Sequence, residues 1–182
     1  MPFGFRNQGI EDVVLVEPTI SVDERGFFME AFKQKDFSEA GIAFTPVQEN
    51  HSKSRKGVLR GLHYQTDPYA QGKLVRVVSG RVFDVAVDMR KKSRTFSKWV
   101  SAELSQQNRL MLYVPRGFAH GFLALEDDTE VVYLTDNEYS KENEQGVIWN
   151  DNQIGVEWPV KKPVLSAKDG ALPTLKNARL FL

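Results

Sequence analysis

The stretch Lys73-Leu74-Val75-Arg76-Val77-Val78-Ser79-Gly80-Arg81-Val82-Phe83-Asp84-Val85-Ala86-Val87-Asp88-Met89 decides the fold class. In its second half Phe83, Val85 and Val87 alternate with Asp84, Ala86 and Asp88, the period of two expected of a strand whose faces meet different surroundings. The first half, Leu74 to Val78, is a short apolar run. Ser79-Gly80 between the halves reads as the turn of a hairpin.

Working outward, runs of the same style recur at Val13 to Val16, Phe27 to Phe32, Gly57 to Tyr64, Trp99 to Leu104, Leu110 to Val114, Gly121 to Leu125 and Val131 to Leu134. Gly, Pro, Asn and Asp separate them at short intervals, which predicts an all-β sandwich or barrel. Helix is expected only locally, as one short helix over Lys35 to Ala40 stopped by Gly41. Ser105 to Arg109 reads as a turn or a single helical turn, and the Pro- and Lys-rich segment from Trp158 onward as irregular. No repeat, low-complexity tract or linker divides the chain. Its 182 residues are expected to form one domain, 1–182, with a sizeable core.

Composition narrows the function classes. No cysteine is present, which excludes disulfides, thiol nucleophiles and thiolate metal sites. Lys plus Arg equal Asp plus Glu at 24 each, so net charge points to neither a nucleic-acid nor a membrane partner. No apolar run has the length of a membrane span, and Met1 to Arg6 lacks a signal pattern; a soluble, cytoplasmic protein is expected.

Three histidines carry the candidate chemistry. As a strand, Val58 to Gln65 puts Arg60, Leu62 and Tyr64 on one face and Gly61, His63 and Gln65 on the other. Gly61 leaves room beside the imidazole for a substrate; a histidine bonded within a sheet wall fits the same pattern. His120, framed by Gly117 and Gly121, reads as part of a sharp turn or loop. His51 adjoins the polar stretch Ser52 to Lys56 and reads as a solvated loop. Metal-binding cupins usually offer a His-x-His pair with a nearby carboxylate, and none occurs; a site built from His63 and His120 with carboxylates has no further support, so metal-free chemistry is expected. Tyr133 is expected to point inward from a strand, Tyr139 to be an exposed loop aromatic, and Asp169 by itself reads as a surface turn. Phosphate loops of the Gly-x-Gly-x-x-Gly and Gly-x-x-x-x-Gly-Lys-Ser/Thr kinds are missing, as is a Gly-x-Ser-x-Gly elbow.

Several segments, in order and spacing, resemble the dTDP-4-dehydrorhamnose 3,5-epimerase family over nearly the whole chain. They are Asp23 to Glu30, Gln48 to Ser52, Gly57 to Gln65, Gln71 to Val77, Phe83 to Asp88, Pro115 to Phe122, Trp149-Asn150-Asp151 and Leu165 to Asp169. The resemblance implies a cupin-like jelly-roll β-barrel with a few short helices. It also implies a homodimer acting without cofactor or metal on dTDP-4-dehydro-6-deoxy-D-glucose. By the same match His63 is the base, Asp169 its orienting carboxylate, Lys73 the stabiliser of the enolate oxygen and Tyr133 the proton donor on the other face. Arg25 and Glu30, with Phe27 packing nearby, match contacts donated across the dimer interface. Gln48, Glu49, Asn50, Arg60, His120, Glu144 and Lys168 match sugar-nucleotide contacts, and Tyr139 the aromatic that stacks on thymine.

Departures are few: Glu49 stands where Asp is common, Ser93 to Ser97 replaces Ser-Pro-Thr-Phe-Gly, and Leu134 replaces a frequent Lys. None touches the four catalytic positions. Three rivals compete with this reading. A relative inverting only C3 or C5, or acting on another 4-keto sugar nucleotide, would use the same groups. A non-catalytic sugar-binding jelly roll leaves His63, Lys73, Tyr133 and Asp169 together without a purpose. A metal-dependent cupin is disfavoured by the missing His-x-His pair.

Overall fold

The computed structural model describes residues 2–10 and 12–182. Along the chain run β1 (Phe3–Asn7), β2 (Val14–Pro18), β3 (Ile20–Asp23), β4 (Gly26–Met29), α1 (Gln34–Glu39), β5 (Gln48–Ser54), β6 (Leu59–Gln65) and β7 (Lys73–Ser79). There follow β8 (Arg81–Asp88), β9 (Trp99–Ser105), β10 (Met111–Val114), β11 (Phe118–Ala124), β12 (Thr129–Thr135), β13 (Glu144–Gly146), α2 (Ala167–Gly170) and a 3-10 turn, Leu175–Asn177. A six-stranded sheet, ordered β1-β2-β10-β7-β12-β5, faces a five-stranded one, β13-β6-β11-β8-β9, and β3-β4 forms a separate ribbon.

From β6 to β8, and again from β9 to β13, successive strands change sheet, which makes the fold a cupin-like jelly roll. The alternation corrects one sequence expectation. β7 and β8 are not a hairpin: β7 pairs with β10 and β12, whereas β8 pairs with β11 and β9. Ser79-Gly80 is the corner where the chain crosses between sheets. Tight-turn chemistry reports a reversal, not which sheet the next strand joins.

Each sheet is covered on both faces. Between them Leu15, Val75, Val82, Leu104, Leu112, Phe122 and Val131 form one core cluster. On the outside of the six-stranded sheet Phe3, Phe37 and Phe44 pack beneath α1, with Phe3 and Phe37 edge-to-face at 5.5 Å. Outside the five-stranded sheet, Leu62, Tyr64, Val85, Val87 and Met89 are covered by the C-terminal segment through Ile154 and Leu175. Each fully buried Leu, Val or Phe contributes about 1.5–3 kcal/mol. The alternation in β8 now has its reason: Phe83, Val85 and Val87 face the C-terminal cover, while Asp84 and Ala86 face the barrel interior.

Two further expectations change. His120 lies within β11 at 5% exposure rather than in a loop. His51 belongs to the edge strand β5, bonded to Glu130 at 2.9 Å. β5 went unseen because Gln48-Glu49-Asn50-His51-Ser52-Lys53-Ser54 has no apolar residue; one face meets solvent, the other a polar cavity. Among the described residues, no helix is long and apolar enough to cross a membrane.

Candidate active site

Strands β6 and β11 pair with His120 opposite His63 but Phe122 opposite Arg60. Two steps on β11 thus span three on β6, a bulge that resets the side-chain alternation. Arg60 and His63 both line the cavity, while Leu62 and Tyr64 pack outward. An uninterrupted strand grouped Arg60 with Leu62 and Tyr64; the bulge overturns that grouping. Two glycines permit it. A Cβ on Gly61, where φ is +135°, would lie 2.6 Å from the Gly121 Cα, closer than any side chain allows.

The cavity encloses about 500 Å³, enough for a small-molecule ligand. The five-stranded sheet supplies Arg60, His63 and His120, the six-stranded sheet Lys73 and Tyr133, and the C-terminal segment Lys168 and Asp169. His63 and Tyr133 therefore stand on opposing walls.

His63 Nε2 lies 2.7 Å from Asp169 Oδ1. Asp169 sits on α2, where Ser166 Oγ accepts its backbone N–H at 3.0 Å, an N-cap that fixes the short helix. It is 4% exposed, not a surface turn. Burial pushes its carboxyl up, but the hydrogen bond and charge of His63, with bonds from the Gly61 backbone and Ser166, outweigh that and hold it below the usual value.

Beside this pair lies a second. His120 Nε2 is 2.9 and 3.1 Å from the two oxygens of Asp84, and Asp84 has no exposure at all. Lys73, 8% exposed, donates to the His63 carbonyl at 3.4 Å. Burial lowers its ammonium from 10.5 to about 8, while the charges of Asp84 and Glu144 pull the other way. The Tyr133 phenol is pushed up, chiefly by burial and further by Glu144, against the opposing charge of Arg60.

At the rim, Glu144 holds Lys168 Nζ at 2.5 Å and accepts the Tyr139 hydroxyl at 2.7 Å. Burial raises the Glu144 carboxyl, but these two partners and the charges of Lys168 and His63 bring it below its usual value. Gln48 donates to Asn50 Oδ1 at 2.8 Å and accepts the Tyr139 backbone N–H at 2.9 Å. Among the described residues no group of three or more His, Asp or Glu side chains is placed to hold a metal ion.

A jelly roll with a His–Asp pair, a buried lysine and a phenol around one cavity has close relatives. The family model described as dTDP-4-dehydrorhamnose 3,5-epimerase matches residues 7–177. A dTDP-4-dehydrorhamnose 3,5-epimerase of Shigella flexneri is 61% identical over 161 residues, 88% of this chain and 89% of that protein. This chain belongs to the dTDP-4-dehydrorhamnose 3,5-epimerase family. The crystal structure of the Sulfolobus tokodaii epimerase superposes with a TM-score of 0.93 at 47% identity, covering 100% of both chains. A dTDP-6-deoxy-D-glucose-3,5-epimerase of Legionella pneumophila, solved with dTDP-4-keto-L-rhamnose, gives 0.92 at 44% identity, covering 96% of this chain and 94% of that one.

In this member of the epimerase family the cavity gathers His63, Lys73, Tyr133, Asp169, Arg60, His120 and Lys168. Gln48, Asn50, Tyr139 and Glu144 are joined to one another and to Lys168 at its mouth. Others are not brought there. The side chain of Glu49 is exposed, between the half-buried Gln48 and Asn50 and on the opposite face of β5. Arg25 pairs with Asp23, Phe27 lies under the Arg109 guanidinium at 4.1 Å, and Glu30 sits 3.6 Å from Lys33. None of the three lines this cavity within one chain. Asp84 and Ser166 are further polar neighbours of the site that the residue pattern did not single out. Asp84 carries a signal: a carboxylate between Phe83 and Val85 in a strand marks an interior that is not wholly dry.

Proposed function

We propose that this chain converts dTDP-4-dehydro-6-deoxy-D-glucose to dTDP-4-dehydro-L-rhamnose by inverting C3 and C5, without a cofactor, in the cytoplasm. Residues 1–182 act as a single epimerase domain in this reading. Both carbons flank the C4 ketone, so their protons become acidic because the enolate spreads its charge onto the ketone oxygen. A base must remove the proton, a cation must meet the oxyanion, and an acid must return a proton from the opposite face.

His63 is the base. With Nε2–H donated to Asp169, the imidazole lone pair resides on Nδ1, and Asp169 stabilises the imidazolium that forms. Lys73 meets the oxyanion from a site where water does not screen its charge. Tyr133, whose pKa burial raises, holds its proton at neutral pH, as a donor must. The observation that carries the proposal is the placement of His63 and Tyr133 on opposite sheets of one cavity.

Arg60 and Lys168 supply cations for the diphosphate, Gln48, Asn50, Glu144 and His120 polar contacts, and Tyr139 a face for the base. Arg25, Phe27 and Glu30 serve the site of a second copy in a homodimer. Two observations support this arrangement. The β3-β4 ribbon holds Val22 at 76% and Phe28 at 71% exposure, and β5, which carries Gln48 and Asn50, is an edge strand open to pairing.

The test is incubation with dTDP-4-dehydro-6-deoxyglucose in deuterated water, followed by NMR. Deuterium at both C3 and C5 is expected, with a rhamnose product once a 4-keto reductase and NADPH are added. His63→Ala is expected to abolish both exchanges. Label at one carbon alone identifies a mono-epimerase; no label overturns the proposal.

A further inference from the structure

The Trp149-Asn150-Asp151 motif lies outside the cavity, yet Asp151 is 5% exposed and its carboxylate is fully engaged. Oδ1 accepts the backbone N–H groups of Gln153 at 2.8 Å and Ile154 at 3.1 Å. Oδ2 accepts that of Leu175 at 2.9 Å. The first two close a local turn. The third ties that turn to a segment 24 residues further on.

That segment brings Asp169 to the barrel. Residues 164 to 175 cross its mouth, fastened at one end by Val164, which bonds Gly57 and Leu59 at 2.8 and 3.0 Å. At the other end Pro173 accepts the Ile148 N–H at 2.8 Å, and Leu175 is held by Asp151. Between the fastenings, Leu172 packs against Gly146, the strand partner of His63. α2 is four residues long and cannot hold its own orientation. The place of Asp169 then rests on these fastenings together with the ion pair of the adjacent Lys168 with Glu144.

We propose that Asp151 is a positioning residue: by holding Leu175 it sets the strap so that Asp169 meets His63. The inference rests on the reading of His63 as base and Asp169 as its partner. Asp151→Asn separates the two duties of the carboxylate. The amide oxygen keeps the local turn, whereas the NH2 group faces the Leu175 N–H and cannot accept it.

The expected result is a kcat lower by on the order of 10–100-fold, with a pH profile of the same shape as that of Asp169→Asn. The double variant is expected to be no slower than Asp169→Asn alone. A merely structural role lowers the melting temperature but leaves the profile's shape and makes the losses multiply; that result overturns the inference. Should Asp151→Asn not fold, an amide-to-ester replacement at Leu175 removes the same donor and keeps every side chain. The same outcomes decide. A fully active Asp169→Asn enzyme refutes the His63–Asp169 reading itself and takes this inference with it, a result distinguishable from failure at Asp151 alone.

Discussion

Replacing Lys73 by Met is expected to make the protein more stable and almost inactive. The folded chain keeps this ammonium in a site 8% exposed, where burial draws its pKa from 10.5 to about 8. At about 1.4 kcal/mol per pH unit, that difference costs the folded state ~3 kcal/mol at neutral pH. Met has nearly the same length and no charge to desolvate, but it removes the favourable charge interaction with Asp84 and Glu144. A net gain of about 1–3 kcal/mol at pH 7 is expected.

The sign in pH is specific. Between about 8 and 10.5 the unfolded chain binds the Lys73 proton and the folded chain does not, so wild-type stability rises with pH across that window. The Met variant has no such rise. Its advantage is therefore full below about pH 8 and fades towards 10.5. Tyrosines titrating in this range are common to both proteins and cancel. Urea denaturation at pH 7 and pH 10, with unchanged m values, measures the two gaps. Turnover of the variant is expected to fall by about 10²–10³-fold, the usual effect of deleting an oxyanion stabiliser. A Met variant less stable than wild type at pH 7, or a gap unaltered at pH 10, refutes the argument that this cation is held at a cost for catalysis.

Three further outcomes are expected. Tyr133→Phe should retain solvent exchange better than inversion, because it removes the proposed donor and leaves the base; NMR that finds both lost equally counts against the assignment. Gly61→Ala should lose about 2–5 kcal/mol, since its Cβ meets the Gly121 Cα at 2.6 Å at a φ of +135°; a wild-type melting temperature would contradict the glycine-based bulge. Co-expressed Arg25→Ala and His63→Ala chains should regain activity that neither has alone, because one site of each mixed dimer combines an intact His63 with an intact Arg25. A monomer by light scattering, or no recovery, argues against the shared site.

Much of the site was legible as a set of residue types, but the local pattern alone misassigned several of them. Asp169 read as a surface turn because Lys168-Asp169-Gly170 has the composition of one; only the cover of neighbouring chain buries it. Arg60 fell on the wrong face because an alternation count has no knowledge of a bulge, and the bulge exists only where Gly61 meets Gly121. Glu49 matched a ligand contact in linear order, but its side chain lies on the exposed face of β5, away from the cavity of its own chain. β5 carried no hydrophobic signal at all, since neither of its faces belongs to the dry core.

The amino-acid order by itself determined that this is a β protein without thiol chemistry, and which side chains are on hand to move a proton. Strand alternation and residue chemistry are properties of a few neighbouring positions, so they can be read without a structure. Tertiary structure alone decided that β7 and β8 part company at Gly80. It alone brought His63 to Asp169 across 106 residues and set Tyr133 on the facing sheet. Those outcomes come from long-range pairing and burial, in which each strand settles beside whichever partners complete its hydrogen bonds and cover its faces.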